Sequence, residues 1–235
     1  MEVTKQHPHG GRRTGWGRWV FGAALAGLVS GGCAMTGGVP CHKAGSPSVV
    51  EAYRAADRLP AGIRRVAVLP MTTSGDGPEW QAGLATLEPM LGVGLAGSGR
   101  FEVVPVTTAR LRQWTGRERW MAHEPLPDDL MARVRTETGC DAVLFSHLTV
   151  YRAYPPQAQG WRLRLVGGDQ GEALWWATDH VFDAGDAGVA EAARRHRASR
   201  SGSLKGLTMG EEVLHTPRYF AEYALTEMLD TCPTR

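Results

Sequence analysis

The chain has 235 residues, 43% of them hydrophobic and 21% charged, the make-up of a folded body large enough to hold a core. Its 30 glycines and 14 prolines follow no Gly-X-Y period and form no long polar tract, which excludes a collagen-like or wholly disordered chain. The formal charge of +2 belongs to the amino terminus: Lys5, Arg12, Arg13 and Arg18 stand against Glu2, and without the first 32 residues the 26 basic and 24 acidic residues become 22 and 23. A neutral body lacks the basic face that counterion release requires, so nucleic acid is not an expected partner.

From Trp19 to Gly32 the chain carries no charge, with Arg12, Arg13 and Arg18 before the run and Cys33 directly after it. This is the layout of an export signal. The run is well short of the roughly 20 residues that a helix needs to cross a bilayer, so residues 1–32 read as a signal peptide rather than a permanent anchor. A cut after Ala26 would leave only Trp19 to Ala23 as apolar core; a cut before Cys33 fits the length better. Residues 33–62 read as a tether rich in glycine, serine and proline, with room for a short helix after residue 51.

The folded body is expected over residues 63–235 as a single α/β domain, with α+β as the alternative. Arg65 to Pro70 reads as a buried strand. From Trp80, Leu84, Leu87, Leu91 and Leu95 share one face of a helix that Pro89 should kink or start later, and that Gly97 and Gly99 end. Phe101 to Val106 is the second strand, and Thr107 or Thr108 can cap a helix through Trp114. Pro127, Asp128 and Asp129 open a third helix, which Gly139 stops. Asp141 to Tyr151 reads as a long strand, covered on both faces in its first half and alternating in its second. A short hairpin follows, Trp161–Val166 and Ala173–Ala177 joined by a glycine-rich turn. Residues 181–235 form a helical extension: Asp186 caps a helix through Arg197, a polar linker covers Ser199 to Ser203, and a last helix runs from Pro217 to Leu229 with Tyr219, Phe220, Tyr223 and Leu229 inward.

Two resemblances bear on function. Ser30, Gly31, Gly32 and Cys33 resemble the site in bacterial lipoprotein precursors where small residues precede a cysteine that is lipidated and becomes the new amino terminus. Ser30 stands where that family usually has an aliphatic residue. The resemblance implies a covalent lipid on Cys33 and a membrane anchor, since several acyl chains hold a protein stably where one does not. Ala34, in place of the Asp common in inner-membrane lipoproteins, points by the same resemblance to the outer membrane. The body, from the strand ending Leu69-Pro70 through Arg100–Val104 and Gly139–Leu144 to Tyr151 and Gly171–Trp175, is similar to the periplasmic α/β module of curli-secretion lipoproteins, lipoprotein activators of penicillin-binding proteins and the TolB amino-terminal domain. The similarity covers residues 63–180. It implies a non-catalytic envelope protein that binds other envelope proteins, with a subunit of a secretion or flagellar assembly as the alternative. A membrane pore would need two pairs of roughly 10-residue alternating strands, and a single hairpin is legible.

With Cys33 committed to lipid, Cys41, Cys140 and Cys232 remain, an odd number in an oxidising compartment. Cys140, between a helix stop and a buried strand, reads as core; Cys41 and Cys232, in end segments, could pair. Asp179, His180, Asp183 and Asp186 could hold a metal or serve as acid and base, although the caps that a turn and helix start require account for Asp183 or Asp186 equally well, and for Asp128 and Asp129 too. His123 and His147 have no partner at a ligand spacing. Ser74 to Gly77, after the first strand, is the best-placed loop for a small molecule, yet has neither phosphate-loop pattern. With no GxSxG or HExxH, an enzyme is not expected. Neighbouring strand residues point to opposite faces, so Trp175 and Trp176 should not enter one core. The final helices could cover the outer one; alternatively Trp176, Tyr151 and Tyr154 would form a docking surface. Arg194 to Arg200 reads as the solvated end of a helix.

Overall fold

The computed structural model describes residues 49–168, 173–201 and 210–235. Cys33, Cys41 and the expected leader lie outside these, as do most of the hairpin turn and residues 202 and 203 of the expected linker; Ser199 to Ser201 are not linker but the last residues of a helix.

Strand β1 (Ala52–Arg54) stands where the sequence allowed a short helix, because a sheet edge is open there: it pairs antiparallel with β7. The body therefore starts earlier than residue 63. Then follow β2 (Arg65–Val68), β3 (Thr72–Thr73), α1 (Pro78–Gly97), β4 (Glu102–Pro105), α2 (Thr108–Thr115) and α3 (Leu130–Thr138). The long strands β5 (Ala142–Arg152), β6 (Ala158–Gly167) and β7 (Ala173–Asp183) precede α4 (Ala187–Ser201), a 3₁₀ turn (Glu211–Leu214) and α5 (Pro217–Asp230). These strands form one mixed sheet in the order β1-β7-β6-β5-β2-β4, with β3 beside β5. Its β2, β3, β4 and β5 pairs are parallel and those of the β5-β6-β7-β1 meander antiparallel.

Helix α1 runs through Pro89 without a break, its leucines at 84, 87, 91 and 95 all buried. Apolar burial on one face outweighs the single hydrogen bond that a proline removes. Thr107 caps α2, its hydroxyl accepting from the Arg110 N–H at 3.2 Å. Asp129 does not cap α3: it sits in helical conformation and its carboxylate pairs instead with Arg133 one turn on, at 2.5 Å. Gly139 ends α3 at φ 65°, a left-handed conformation that favours glycine.

The sheet has two unequal faces. On one, α1, α4 and α5 cover Val66, Leu144, Leu148, Trp161, Leu163, Leu165, Trp176 and Phe182. On the other, α2 and α3 cover Ala67, Leu69, Val143, Phe145 and, at its far limit, Val166. The hairpin strands are 10 and 11 residues, longer than the sequence indicated, because outward Arg162, Arg164, Asp179 and Val181 mask their apolar alternation.

Trp175 and Trp176 both pack on the first core. Leu165 pairs with Trp176 and Val166 with Leu174, so a β-bulge at Trp175 breaks the alternation that would have parted them. Gly167 makes room for this, since a β-carbon there would lie 2.9 Å from the Trp175 ring nitrogen.

Candidate functional site

The aromatic docking surface does not form. Trp176 is fully buried under the end of α5, and its indole N–H donates to Thr231 Oγ1 at 3.1 Å. Tyr151 lies against α1, its ring 6.4 Å from that of Trp80, and burial raises its pKa. Only Tyr154 is free, at 82% exposure. Strand register places Trp176 level with Leu165 and Leu144, seven residues of β5 away from Tyr151, or about 20 Å. Trp176 therefore shares no surface with the two tyrosines.

The acidic residues expected after the hairpin, of which Asp179 and Asp183 lie within β7, are each engaged elsewhere. Asp179 accepts from Arg162 Nε at 2.6 Å. Asp183 takes Arg152 on both oxygens at 2.9 and 3.0 Å, and accepts from the Gly185 N–H at 2.8 Å. Asp186 is the cap of α4, accepting from the N–H groups of Gly188 and Val189 at 2.7 and 3.0 Å. His180 meets the Phe182 ring edge-on at 4.6 Å, and burial lowers its pKa. Among the described residues no group of three or more His, Cys, Asp or Glu is placed to hold a metal. Nor is any helix among them long and apolar enough to cross a membrane.

His147 has partners that the sequence did not disclose. Its Nδ1 lies 2.8 Å from Thr72 Oγ1 and its Nε2 2.9 Å from Ser74 Oγ. The Thr72 hydroxyl donates to the Ser146 carbonyl at 3.2 Å, so it accepts from Nδ1–H and leaves Nε2 to accept from Ser74. Burial, then neighbouring Arg162, lowers the His147 pKa, a direction that favours the neutral ring these two bonds use. The loop expected to meet a ligand thus uses its first residue to pin β3 on β5. Residues 73 apart in sequence carry no signal of such a contact.

Cys140 is buried beside α3 as expected, and burial raises its thiol pKa. Cys232 is also buried, not in a loose tail; burial pushes its thiol up to about 11. Its pairing with Cys41 rests on sequence alone. The basic run of α4 is solvated at Arg195 and Arg200, as expected, and several of its members are also paired: Arg194 meets Glu211 at 2.7 Å, Arg200 meets Glu222 at 2.6 Å, and Arg197 lies over the Tyr219 ring at 3.7 Å. Between α4 and α5, His196 sits 5.8 Å from the Tyr223 ring with a buried Nε2 that has no hydrogen-bond partner. Burial lowers its pKa, against the pull of Glu222.

The open part of the sheet is the face that α2 and α3 leave uncovered on β6, β7 and β1. Tyr53 is 53% exposed and Val181 47%. Arg162, Arg164 and Ala177 are half-buried there, and Asp179 and Glu51 are exposed. A shallow hollow of about 460 Å³ runs between Arg162, Arg164, Ala177, Asp179, Tyr53 and Glu51. A sheet face with mixed aromatic, guanidinium and aliphatic groups has the composition of a protein contact, and lacks the enclosed apolar pocket of a small-molecule site.

No protein-family model and no curated protein matches this chain. Among solved structures it is similar to the PelC dodecamer from Paraburkholderia phytofirmans, at 12% identity and TM-score 0.41 over 79% of this chain and 99% of that one. It is also similar to lipoprotein GNA1162 from Neisseria meningitidis (18% identity, TM-score 0.35, 60% and 98%). A third is the LpoB C-terminal domain from Salmonella enterica (19% identity, TM-score 0.31, 52% and 83%). Likenesses this remote carry nothing about binding or activity.

Proposed function

We propose that this chain is a lipid-anchored protein of the bacterial cell envelope that faces the periplasm, from the outer rather than the inner membrane, and acts by binding other proteins without catalysis. The open face of β6, β7 and β1 is the observation that carries the binding reading. It is broad, shallow and built on rigid strands, and its one exposed aromatic, Tyr53, is of the kind that anchors protein contacts. The non-catalytic reading is supported by the duties of Asp179, Asp183, Asp186 and His147, all held in pairs, caps and brackets. The anchor is supported by the charged start, the short apolar run and Cys33.

Intact mass and membrane fractionation of the native protein beside a Cys33→Ser variant test the anchor. The expected result is a mature amino terminus at Cys33 carrying acyl mass, with both mass and membrane attachment lost in the variant. An unacylated native protein overturns the anchor. Photo-crosslinking from Tyr53 in native membranes tests the face; the absence of any adduct there overturns the binding reading.

A further inference from the structure

On the open face, two rows of side chains cross the strands side by side. In the first, Arg162 on β6 is in register with Asp179 on β7, and the two form an ion pair at 2.6 Å. In the second, Arg164 is in register with Ala177, and Ala177 with Tyr53 on β1. Arg164 is half-buried, yet it makes no hydrogen bond or ion pair among the described residues. The second row thus repeats the first with its carboxylate missing. Where that carboxylate would stand there is a methyl group, leaving a notch with the guanidinium on one side and the exposed Tyr53 ring on the other.

We propose that this notch accepts a carboxylate side chain presented by a partner protein, which takes on Arg164 the position that Asp179 holds on Arg162. This inference rests on the reading of the open face as the docking face. A guanidinium is built for a planar, two-oxygen acceptor, and partial withdrawal from water strengthens its preference for one. A free small anion is a poor occupant, because a single, half-exposed ion pair in a shallow hollow contributes little. A protein segment lying along the strands would also cover Tyr53 and Val181, and that apolar burial would supply the affinity while the ion pair fixes the register.

The test uses the full-length protein in native membranes with p-benzoylphenylalanine in place of Tyr53. Arg164→Glu should cut the adduct by more than about tenfold, because like charges then face each other, and Arg164→Lys should keep most of it. Ala177→Asp should cut it as strongly by filling the notch from within, and cooperative unfolding should be no weaker than in the native chain. Mass spectrometry should find Asp or Glu in the crosslinked partner peptide. An adduct that survives both Arg164→Glu and Ala177→Asp overturns the carboxylate notch and leaves the docking face standing. No adduct at all overturns the face and the notch together. An adduct between two copies of this chain overturns a distinct partner protein as the source.

Discussion

The two halves of the sheet differ in what lies behind them. On β2 and the first part of β5, consecutive residues are buried: Val66 and Leu144 face one core, Ala67 and Val143 the other. On β6, Trp161, Leu163 and Leu165 are buried while Arg162 and Arg164 reach solvent. The connections explain this. The crossovers β2-α1-β4 and β4-α2-α3-β5 run in opposite directions along the sheet, and with the same right-handed sense they lay their helices on opposite faces. The β5-β6-β7 turns are hairpins and bring no helix with them. Helices α4 and α5, after β7, return to the face that α1 already occupies. The half-clad region follows from connectivity, and it is where binding is proposed.

This contrast can be broken most severely from the inside. Trp176→Ala removes a fully buried ring and its bond to Thr231, and should cost about 3–5 kcal/mol. Tyr53→Ala, one strand away on the open face, should stay within about 0.5 kcal/mol. Denaturant midpoints of the two variants check both, and a mild Trp176→Ala phenotype would mean that the indole is not core. Asp186→Ala should cost about 1 kcal/mol through its lost cap, whereas Asp186→Asn should recover most of it and Asp128→Ala should do almost nothing.

A pH series sharpens the same comparison, because the histidines with lowered pKa divide between the covered side and the bracket on β3. For His196, the folded pKa lies below the ordinary 6.5, so the unfolded chain takes up the proton first as pH falls. Its contribution to stability is therefore full above about 6.5 and is lost as pH drops from there toward the folded value. His196→Leu should flatten that part of the stability profile between pH 7.5 and 5.5; an unchanged slope would show that the ring is not desolvated. The smallest effect belongs to the surface pair. Asp179→Ala should cost at most about 1 kcal/mol, less at high salt, because both partners keep part of their surface in water.

Much of the fold was legible because it is written in local terms. The leucines of α1, the Thr107 cap, Gly139 at the end of α3 and the apolar start of β5 each carry their own short-range signal. The misses share a different cause. The segment Ala52–Arg54 has too few residues to show a period, and becomes a strand only because β7 offers it an edge. The bulge at Trp175 comes from pairing with Leu165 and Val166, and nothing in the Trp-Trp dipeptide encodes it. Asp129 looked like a cap and is not one, because Arg133 competes for its carboxylate. Of the candidate site, the hairpin Trp161–Val166 and Ala173–Ala177 was visible, but Asp179 was expected beyond its end, and its register with Arg162 was not legible.

By itself the sequence determined the β-α-β-α-β order and the helices that close the chain, since each depends on neighbours within a few turns of backbone. The tertiary structure alone decided which tryptophan is covered, what holds His147, and that Arg164 stands beside Ala177 while Arg162 stands beside Asp179. Those outcomes depend on strand register and on which helix returns to which face, both set by packing between residues far apart in the chain.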